Sequence, residues 1–119
     1  MKIENRIDYV EIPVTDPARA RDFFVALFGW SYEEWGSDYI SFYDGWIEGG
    51  FRRSDEPAPA SGVLLVFYSG ELERDQKRVV ELGATISKEV FSFPGGQRFH
   101  FVDPVGTEYA MWSSATAED

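Results

Sequence analysis

The only histidine of the chain, His100, lies eight residues before Glu108 in the stretch FHFVDPVGTEYAMWS. The apolar runs on either side of DPVG predict two strands joined by a tight turn, so we expect the two side chains to meet across a hairpin. Together they could bind a divalent metal, and His100 alone could act as a general base because its pKa lies near neutrality. A metal site generally needs three or four protein ligands, so the sequence favours a structural cross-strand pair over a metal site and leaves the general base open.

The charge balance excludes one large class of partner. Of the 119 residues, 21 are Asp or Glu and 11 are Lys or Arg, which gives a formal net charge of −10. Such a surface repels nucleic acid, and the sequence shows no basic stripe that would bind it. The acidic surface indicates solubility, with attraction of a cationic ligand as the alternative.

Missing residue types exclude further chemistry. The chain has no cysteine, which removes disulfides, zinc–thiolate sites and iron–sulfur clusters. With one histidine and no cysteine, neither a Ser-His-Asp nor a Cys-His catalytic set can be argued. The first residues contain no apolar run of the signal-peptide type, and no stretch reaches the length of a membrane span. We therefore expect a cytoplasmic protein without membrane contact.

The elements that position the hairpin begin with a strand and a helix in the first half. Residues 7–14 alternate as a strand, with Tyr9, Glu11 and Pro13 on one face. The next residues predict a helix that starts at Thr-Asp-Pro and stops at Gly29. Three further strands are predicted over residues 31–35, 38–44 and 46–53. In the last of them, the Gly49-Gly50 pair indicates a bulge or a close backbone approach.

The same order recurs in the second half, with a strand at 63–69, a helix ending at Gly83, and strands at 85–93, 98–102 and 107–112. This internal repeat predicts an α+β fold of two tandem βαβββ modules, at about residues 5–54 and 62–114. A linker at about 54–61 joins them in a single domain of residues 1–119. Each module alone leaves one sheet face bare, so we expect the two curved sheets to enclose a cavity.

The sequence resembles the vicinal oxygen chelate superfamily, which contains glyoxalases, extradiol dioxygenases and bleomycin-resistance proteins. The resemblance is carried by VEIPVTDPARARDFFVALFGW in the first half and by ELERDQKRVVELGA and FVDPVGTEYAMWS in the second, and it covers nearly the whole chain. It implies a glyoxalase-like half-open barrel around the cavity. It also implies a homodimer, since members of the superfamily often dimerise.

The resemblance further implies four metal-ligand positions, usually filled by His, Glu or Gln. In this chain they fall on Tyr9, on Leu64 (Val63 if the register slips by one), on Ala110, and in the fourth strand on Glu48 or Gly50. Leucine and alanine have no donor atom, and a tyrosine hydroxyl is a poor ligand while it keeps its proton. We therefore expect no metal and no other cofactor.

Aromatic and acidic side chains share the strand faces that would line the cavity. The residues expected to contact a ligand are Tyr9, Glu11, Trp46, Glu48, Glu108 and Trp112. Walls of this kind suit a flat or cationic small molecule, through stacking, cation–π attraction and charge pairing. The alternative is that the tryptophans belong to the core and the glutamates point to solvent.

Two functions of different class follow. The favoured one is a metal-independent, small-molecule-binding member of the superfamily, in the manner of its drug-sequestering branch, with an aromatic or cationic ligand. The alternative is an enzyme related to lactoylglutathione lyase, in which Glu48, His100 or Glu108 acts in an altered metal site. Stoichiometric metal in the purified protein would support the second function over the first.

Overall fold

The computed structural model describes residues 2–56 and 62–114. The chain divides into two compact units, residues 1–58 and 59–119, and the boundary falls in the predicted linker, of which residues 57–61 lie outside the described part. Each unit contains one four-stranded sheet and one helix in the order strand, helix, strand, strand, strand. The α+β class and the repeated βαβββ plan are thereby confirmed.

The first unit follows the predicted element order closely. Its elements are β1 (Tyr9–Val14), α1 (Pro17–Phe28), β2 (Ser31–Glu34), β3 (Tyr39–Tyr43) and β4 (Glu48–Arg53). The sheet order is β1-β4-β3-β2, with β1 and β4 parallel and the other pairs antiparallel. The last strand of the unit therefore lies beside the first, which places their side chains in register.

Helix α1 begins and ends where its sequence signals predict. The side chain of Asp16 accepts a hydrogen bond from the backbone N–H of Arg19 at 3.1 Å, and Pro17 occupies the first turn. Gly29 ends the helix in the left-handed region, with φ of 74°, and its N–H donates to the carbonyl of Val25 at 2.8 Å. No helix of the described residues is long and apolar enough to cross a membrane.

The core of the first unit is a stack of aromatic rings above the apolar face of the sheet. Trp30 stacks between Phe24 of α1 and Phe42 of β3, with ring centroids 4.7 Å from each. Ile12 and Val14 of β1 are buried, as the alternation of that strand predicts. This packing leaves the opposite face of the sheet to the polar residues.

The second unit has the same plan with a shorter first strand. Its elements are β5 (Val66–Tyr68), α2 (Leu72–Glu81), β6 (Thr85–Phe93), β7 (Gly96–Val102) and β8 (Glu108–Ser114), in the sheet order β5-β8-β7-β6. The predicted strand at 63–69 is thus reduced to three residues. The Leu65 carbonyl and the Ser69 N–H still hydrogen-bond to β8, at 3.1 and 2.8 Å, so the pairing continues by one hydrogen bond beyond each end of β5.

A tight turn and a buried face hold the β7–β8 hairpin. The carboxylate of Asp103 accepts hydrogen bonds from the backbone N–H groups of Val105 and Thr107, at 3.2 and 2.9 Å. The central side chains of one face of the hairpin are fully buried: Phe99, Phe101, Tyr109 and Met111. Because side chains alternate along a strand, His100 and Glu108 lie together on the other face.

Candidate functional site

The positions to which the resemblance assigns metal ligands do not form a donor set. Tyr9 begins β1 and is 42% exposed, Leu64 precedes β5, and Ala110 is fully buried in β8. Within residues 2–56 and 62–114, no group of three or more His, Asp or Glu side chains is placed to hold a metal ion. The residues present therefore do not fit the metal that the superfamily implies.

The pairing of β1 with β4 shows which way the two candidates for the fourth metal-ligand position, Glu48 and Gly50, point. Tyr9 lies opposite Glu48, and Glu11 lies opposite Gly50. Both candidate positions on β4 therefore point to the same side of the sheet as Tyr9, and only Glu48 offers a donor atom. Its carboxylate lies 3.8 Å from the Lys2 ammonium.

This side of the first sheet is called here the Tyr39 face. On β1, β3 and β4 it consists of Tyr9, Glu11, Pro13, Tyr39, Ser41, Tyr43, Glu48, Gly50 and Arg52. The ring of Tyr39 lies directly over Gly50, since a Cβ atom on that glycine would come 2.0 Å from the Tyr39 hydroxyl. On the other side of the strand, a Cβ on Gly49 would come 2.3 Å from the ring of Phe42. The glycine pair therefore admits one aromatic ring on each side, which is the predicted close approach.

Hydrogen bonds tie the Tyr39 face together. The hydroxyls of Tyr9 and Tyr39 form a short hydrogen bond, and the Arg52 Nε donates to Glu11 at 3.1 Å. Burial raises the pKa of Tyr39, and its hydrogen bond with Tyr9 and its contact with Glu11 raise it further. Tyr39 thus stays protonated near neutral pH and can serve as a donor.

Tyr39 was not among the residues predicted from the sequence, although the alternation of DYISFYD places it on one face with Ser41. Beside these residues, the Trp35 indole N–H donates to the Ser41 hydroxyl at 3.1 Å, while Trp35 remains 62% exposed. An exposed tryptophan held in place by a hydrogen bond offers a fixed flat surface. Trp35 therefore adds to the aromatic residues of this region.

Trp46 does not lie on the fourth strand. The backbone N–H groups of Trp46 and Ile47 both donate to the Asp44 carboxylate, at 2.8 and 2.7 Å, and β4 begins only at Glu48. The prediction that Trp46 shares a strand face with Glu48 is wrong, because this turn takes it out of the sheet. Its side chain is 89% exposed, so it is not part of the core either.

The second sheet carries the predicted residues His100, Glu108, Ala110 and Trp112 on one side, together with Tyr68 and Arg98, and we call this set the His100 face. His100 pairs with Ala110, and Val102 pairs with Glu108, so His100 and Glu108 are diagonal neighbours and not directly opposite. Their side chains still meet, with 3.2 Å between Nδ1 and Oε2. The Ser87 hydroxyl donates to the same oxygen at 3.0 Å.

His100 is held in its neutral form. It is 4% exposed, and burial lowers its pKa, with Arg98 adding to the effect and the Glu108 hydrogen bond opposing it. An ionised carboxylate only accepts hydrogen bonds, so Nδ1 carries the proton and Nε2 has a bare lone pair. Nε2 is buried and has no hydrogen-bond partner among the described residues. The predicted cross-strand pair is present, and it leaves one acceptor unused.

Trp112 is half-buried at the other end of the His100 face. Its ring packs edge-on against Tyr68, with centroids 5.1 Å apart, and lies 6.3 Å from Phe93. Arg98 is its partner across the β7–β8 pair. Trp112 is a predicted ligand contact, whereas Arg98 was not predicted, because no motif distinguishes it from the other arginines.

Comparison with known proteins identifies the family to which the chain belongs. A sequence model described as the Glyoxalase/Bleomycin resistance protein/Dioxygenase superfamily matches residues 6–110. No curated protein gave a significant match. Among solved structures, the fold is similar to a glyoxalase/bleomycin resistance protein/dioxygenase family enzyme from Burkholderia phytofirmans PsJN. The TM-score is 0.79 at 17% identity, over 91% of this chain and 99% of that one.

Two further solved structures share the fold. TioX from Micromonospora sp. ML1 gives a TM-score of 0.69 at 21% identity, over 92% of this chain and 99% of that one. The fosfomycin resistance protein FosX from Listeria monocytogenes gives 0.80 at 16% identity, over 98% of both chains. Identities this low indicate a common fold and no more, whereas the superfamily match spans most of the chain. The chain therefore belongs to the glyoxalase/bleomycin resistance protein/dioxygenase superfamily, as its resemblance to the vicinal oxygen chelate proteins predicted.

Proposed function

We propose that this protein binds a small, flat cation without a metal ion, and that the Tyr39 face contributes the binding surface. The observation that carries the proposal is the residue content of the expected metal positions: Tyr9, Leu64 and Ala110 in place of His, Glu or Gln. Without those donors a metal cannot polarise a substrate in the way the superfamily uses. Binding then depends on the side chains of the protein itself.

The Tyr39 face supports a cationic ligand by its chemistry. Glu11 and Glu48 carry negative charge there and stay about half exposed, although Arg52 and Lys2 lie beside them, and Tyr9 offers an exposed ring. A cation over an aromatic ring gains about 0.5–2 kcal/mol, depending on how far it is desolvated. The net charge of −10 favours the approach of a cation over that of an anion. Trp46, exposed in the loop before β4, is available for stacking.

The proposal does not include the metal binding seen in a solved structure with the same fold. A point mutant of the Listeria FosX has been solved with Mn(II) and 1S,2S-dihydroxypropylphosphonic acid. Of the four positions that the resemblance assigns to metal ligands, this chain keeps an ordinary donor only at Glu48. The proposal therefore retains the ligand-binding role of the superfamily and not its metal chemistry.

A fluorescence titration with acridine orange, a flat aromatic cation, tests the proposal in buffer containing EDTA. We expect saturable binding that Glu11→Gln and Glu48→Gln each weaken about fivefold, since a partly exposed charge contributes up to about 1 kcal/mol. Glu73→Gln is the matched control, because it removes the same charge from an exposed site on α2. Equal weakening by all three variants, or the absence of saturable binding, would contradict the proposal.

One observation favours the alternative enzyme. His100 pairs with Glu108 and keeps an unused acceptor nitrogen, which is the arrangement of a general base. Turnover of the methylglyoxal–glutathione hemithioacetal, measured with added Ni²⁺ and with EDTA, tests it against His100→Gln. Turnover that His100→Gln abolishes would support a lactoylglutathione lyase-related enzyme in place of a binding protein.

The oligomeric state and location are part of the same proposal. We propose a homodimer on the basis of the superfamily resemblance, and a cytoplasmic location on the basis of the sequence. Sedimentation velocity over a range of protein concentrations tests the first, and fractionation of cells that express the tagged protein tests the second. A monomer at all concentrations would contradict the dimer.

A further inference from the structure

Two neighbouring side chains of β7 each carry a buried nitrogen that lacks a hydrogen bond. They are Nε of Arg98 and Nε2 of His100, and neither has a partner among the described residues. Because the two residues are separated by one position on a strand, their side chains project from the same face. A buried polar atom without a partner destabilises the folded protein, so two on one face need an explanation.

Arg98 is placed among aromatic rings and not beside a carboxylate. Its guanidinium lies 5.4 Å from the ring centre of Phe91 and 5.8 Å from that of Phe93. It forms no ion pair within the described residues, although acidic residues outnumber basic ones in this chain. The ring faces stabilise the positive charge but accept no conventional hydrogen bond in the guanidinium plane. The N–H donors of Arg98 therefore remain available to an oxyanion.

His100 offers the complementary group. The Glu108 carboxylate fixes the proton on Nδ1, so Nε2 can only accept a hydrogen bond. The ring of Phe91 lies 5.9 Å from that of His100 and also lies beneath Arg98, so it borders both groups. The His100 face therefore presents donors at Arg98 and an acceptor at His100, with an aromatic surface alongside.

The spacing of these groups defines the ligand. Alternate residues of a strand are about 6.6 Å apart, at about 3.3 Å per residue. This is close to the distance between substituents on opposite ends of a benzene ring. We propose that the His100 face binds a small aromatic carboxylate, with its carboxylate on Arg98 and a para hydroxyl or amino group donating to Nε2 of His100. Only residues of the second unit are involved, so the inference does not rest on the proposed cation site.

Access to the two nitrogens predicts slow binding. Arg98 is half-buried, so part of its guanidinium meets solvent, whereas His100 is nearly inaccessible. A ligand can reach Nε2 only when a covering side chain moves. We expect the carboxylate to contact Arg98 first and the hydroxyl contact to follow, which gives two phases in stopped-flow measurements of tryptophan fluorescence.

Calorimetric titration with 4-hydroxybenzoate tests the proposal. We expect saturable binding, weaker binding of benzoate, which lacks the para donor, and no binding of 4-hydroxybenzyl alcohol, which lacks the carboxylate. Arg98→Gln should weaken 4-hydroxybenzoate at least about tenfold, as expected for a lost charge-assisted pair. Arg74→Gln removes the same charge from an exposed site on α2 and should leave the affinity unchanged. Arg98→Lys keeps the charge without the planar fork and should give an intermediate value.

A second variant tests the contribution of His100 separately and distinguishes a local effect from misfolding. His100→Gln should weaken 4-hydroxybenzoate several-fold and leave benzoate unaffected, a difference that a general loss of structure would not produce. The proposal is wrong if 4-hydroxybenzoate does not bind at millimolar concentration, if Arg74→Gln weakens it as much as Arg98→Gln does, or if the alcohol binds as well as the acid. Each of these outcomes leaves the acridine orange experiment on the Tyr39 face undecided, so the two proposals fail separately.

Discussion

Substitution of Gly50 by alanine tests how the Tyr39 face is built. The new methyl group would lie 2.0 Å from the hydroxyl oxygen of Tyr39 and 2.4 Å from the adjacent ring carbon, well inside van der Waals contact. The ring must therefore leave β4, and the hydrogen bond with Tyr9 is lost with it. In a Tyr39→Ala background the three atoms nearest to the new methyl group are absent, because all three belong to the Tyr39 ring and hydroxyl.

The expected magnitudes have opposite signs in the two backgrounds. In the wild-type protein, Gly50→Ala should lower the free energy of unfolding by about 2 kcal/mol, from crowding of about 1–3 kcal/mol that includes the lost hydrogen bond of about 1 kcal/mol. In the Tyr39→Ala protein the same change should raise it by about 0.5–1 kcal/mol, because glycine within a strand is less favourable than alanine. The coupling energy between the two positions is then about 3 kcal/mol.

Urea unfolding of the four proteins of this cycle, followed by circular dichroism, measures the coupling. Gly49→Ala is the control, because its methyl group would lie 2.5 Å from the carbonyl oxygen of Val10 as well as against Phe42. Backbone cannot move aside as a side chain can, so Tyr39→Ala should not rescue that variant. Equal effects of Gly50→Ala in both backgrounds would refute the placement of Tyr39 over β4.

Three further predictions concern single groups. Because His100 has a lowered pKa in the folded protein, the unfolded chain binds more protons below about pH 6.5. The wild type should therefore lose stability relative to His100→Gln as pH falls, by at most about 1.4 kcal/mol per pH unit. Urea midpoints of the two proteins that change in parallel from pH 8 to pH 5 would count against this. Burial, above all, raises the pKa of Tyr39 and of Tyr109, so an alkaline absorbance titration should show these tyrosines ionising last, and Tyr39→Phe should remove part of the late phase. Asp16→Ala should lower the free energy of unfolding by about 1 kcal/mol through loss of the α1 cap, whereas Asp16→Asn should restore most of it; equal thermal midpoints for both variants would contradict the capping role.

The sequence predicts the fold well because its signals are local. Asp16, Pro17 and Gly29 mark the ends of α1 through contacts within a few residues of each other. The repeat of strand, helix and three strands can be predicted from these helix-end signals and from the spacing of apolar residues alone. The wrong prediction for Trp46 also has a local cause. An aromatic residue next to a strand pattern is predicted as part of the strand, but the turn at Asp44, held by hydrogen bonds to its side chain, places Trp46 outside the sheet.

The candidate sites depend on contacts between distant segments, which sequence patterns do not contain. Phe91 is the direct partner of Arg98 in the β6–β7 hairpin, but the pairing shifts register between Phe91 and Lys88, the partner of His100, and strict alternation does not predict that shift. The contact of His100 with Glu108 was foreseen, since both lie on one hairpin, but its diagonal geometry and the unused Nε2 were not. Whether a buried atom has a partner follows only from the packed structure.

The most direct test of metal-independent function is the metal content of the purified, untagged protein, measured by elemental mass spectrometry. The protein is incubated with Ni²⁺, Zn²⁺, Mn²⁺ and Fe²⁺ and then freed of unbound ions. The variant Tyr9→His/Leu64→His/Ala110→Glu, which restores donors at the three positions, is the positive control. We predict well below one metal ion per wild-type chain and clearly higher uptake by the variant. Near-stoichiometric metal in the wild type, lost on substitution of Glu48 or His100, would contradict metal-independent function and establish an altered metal site.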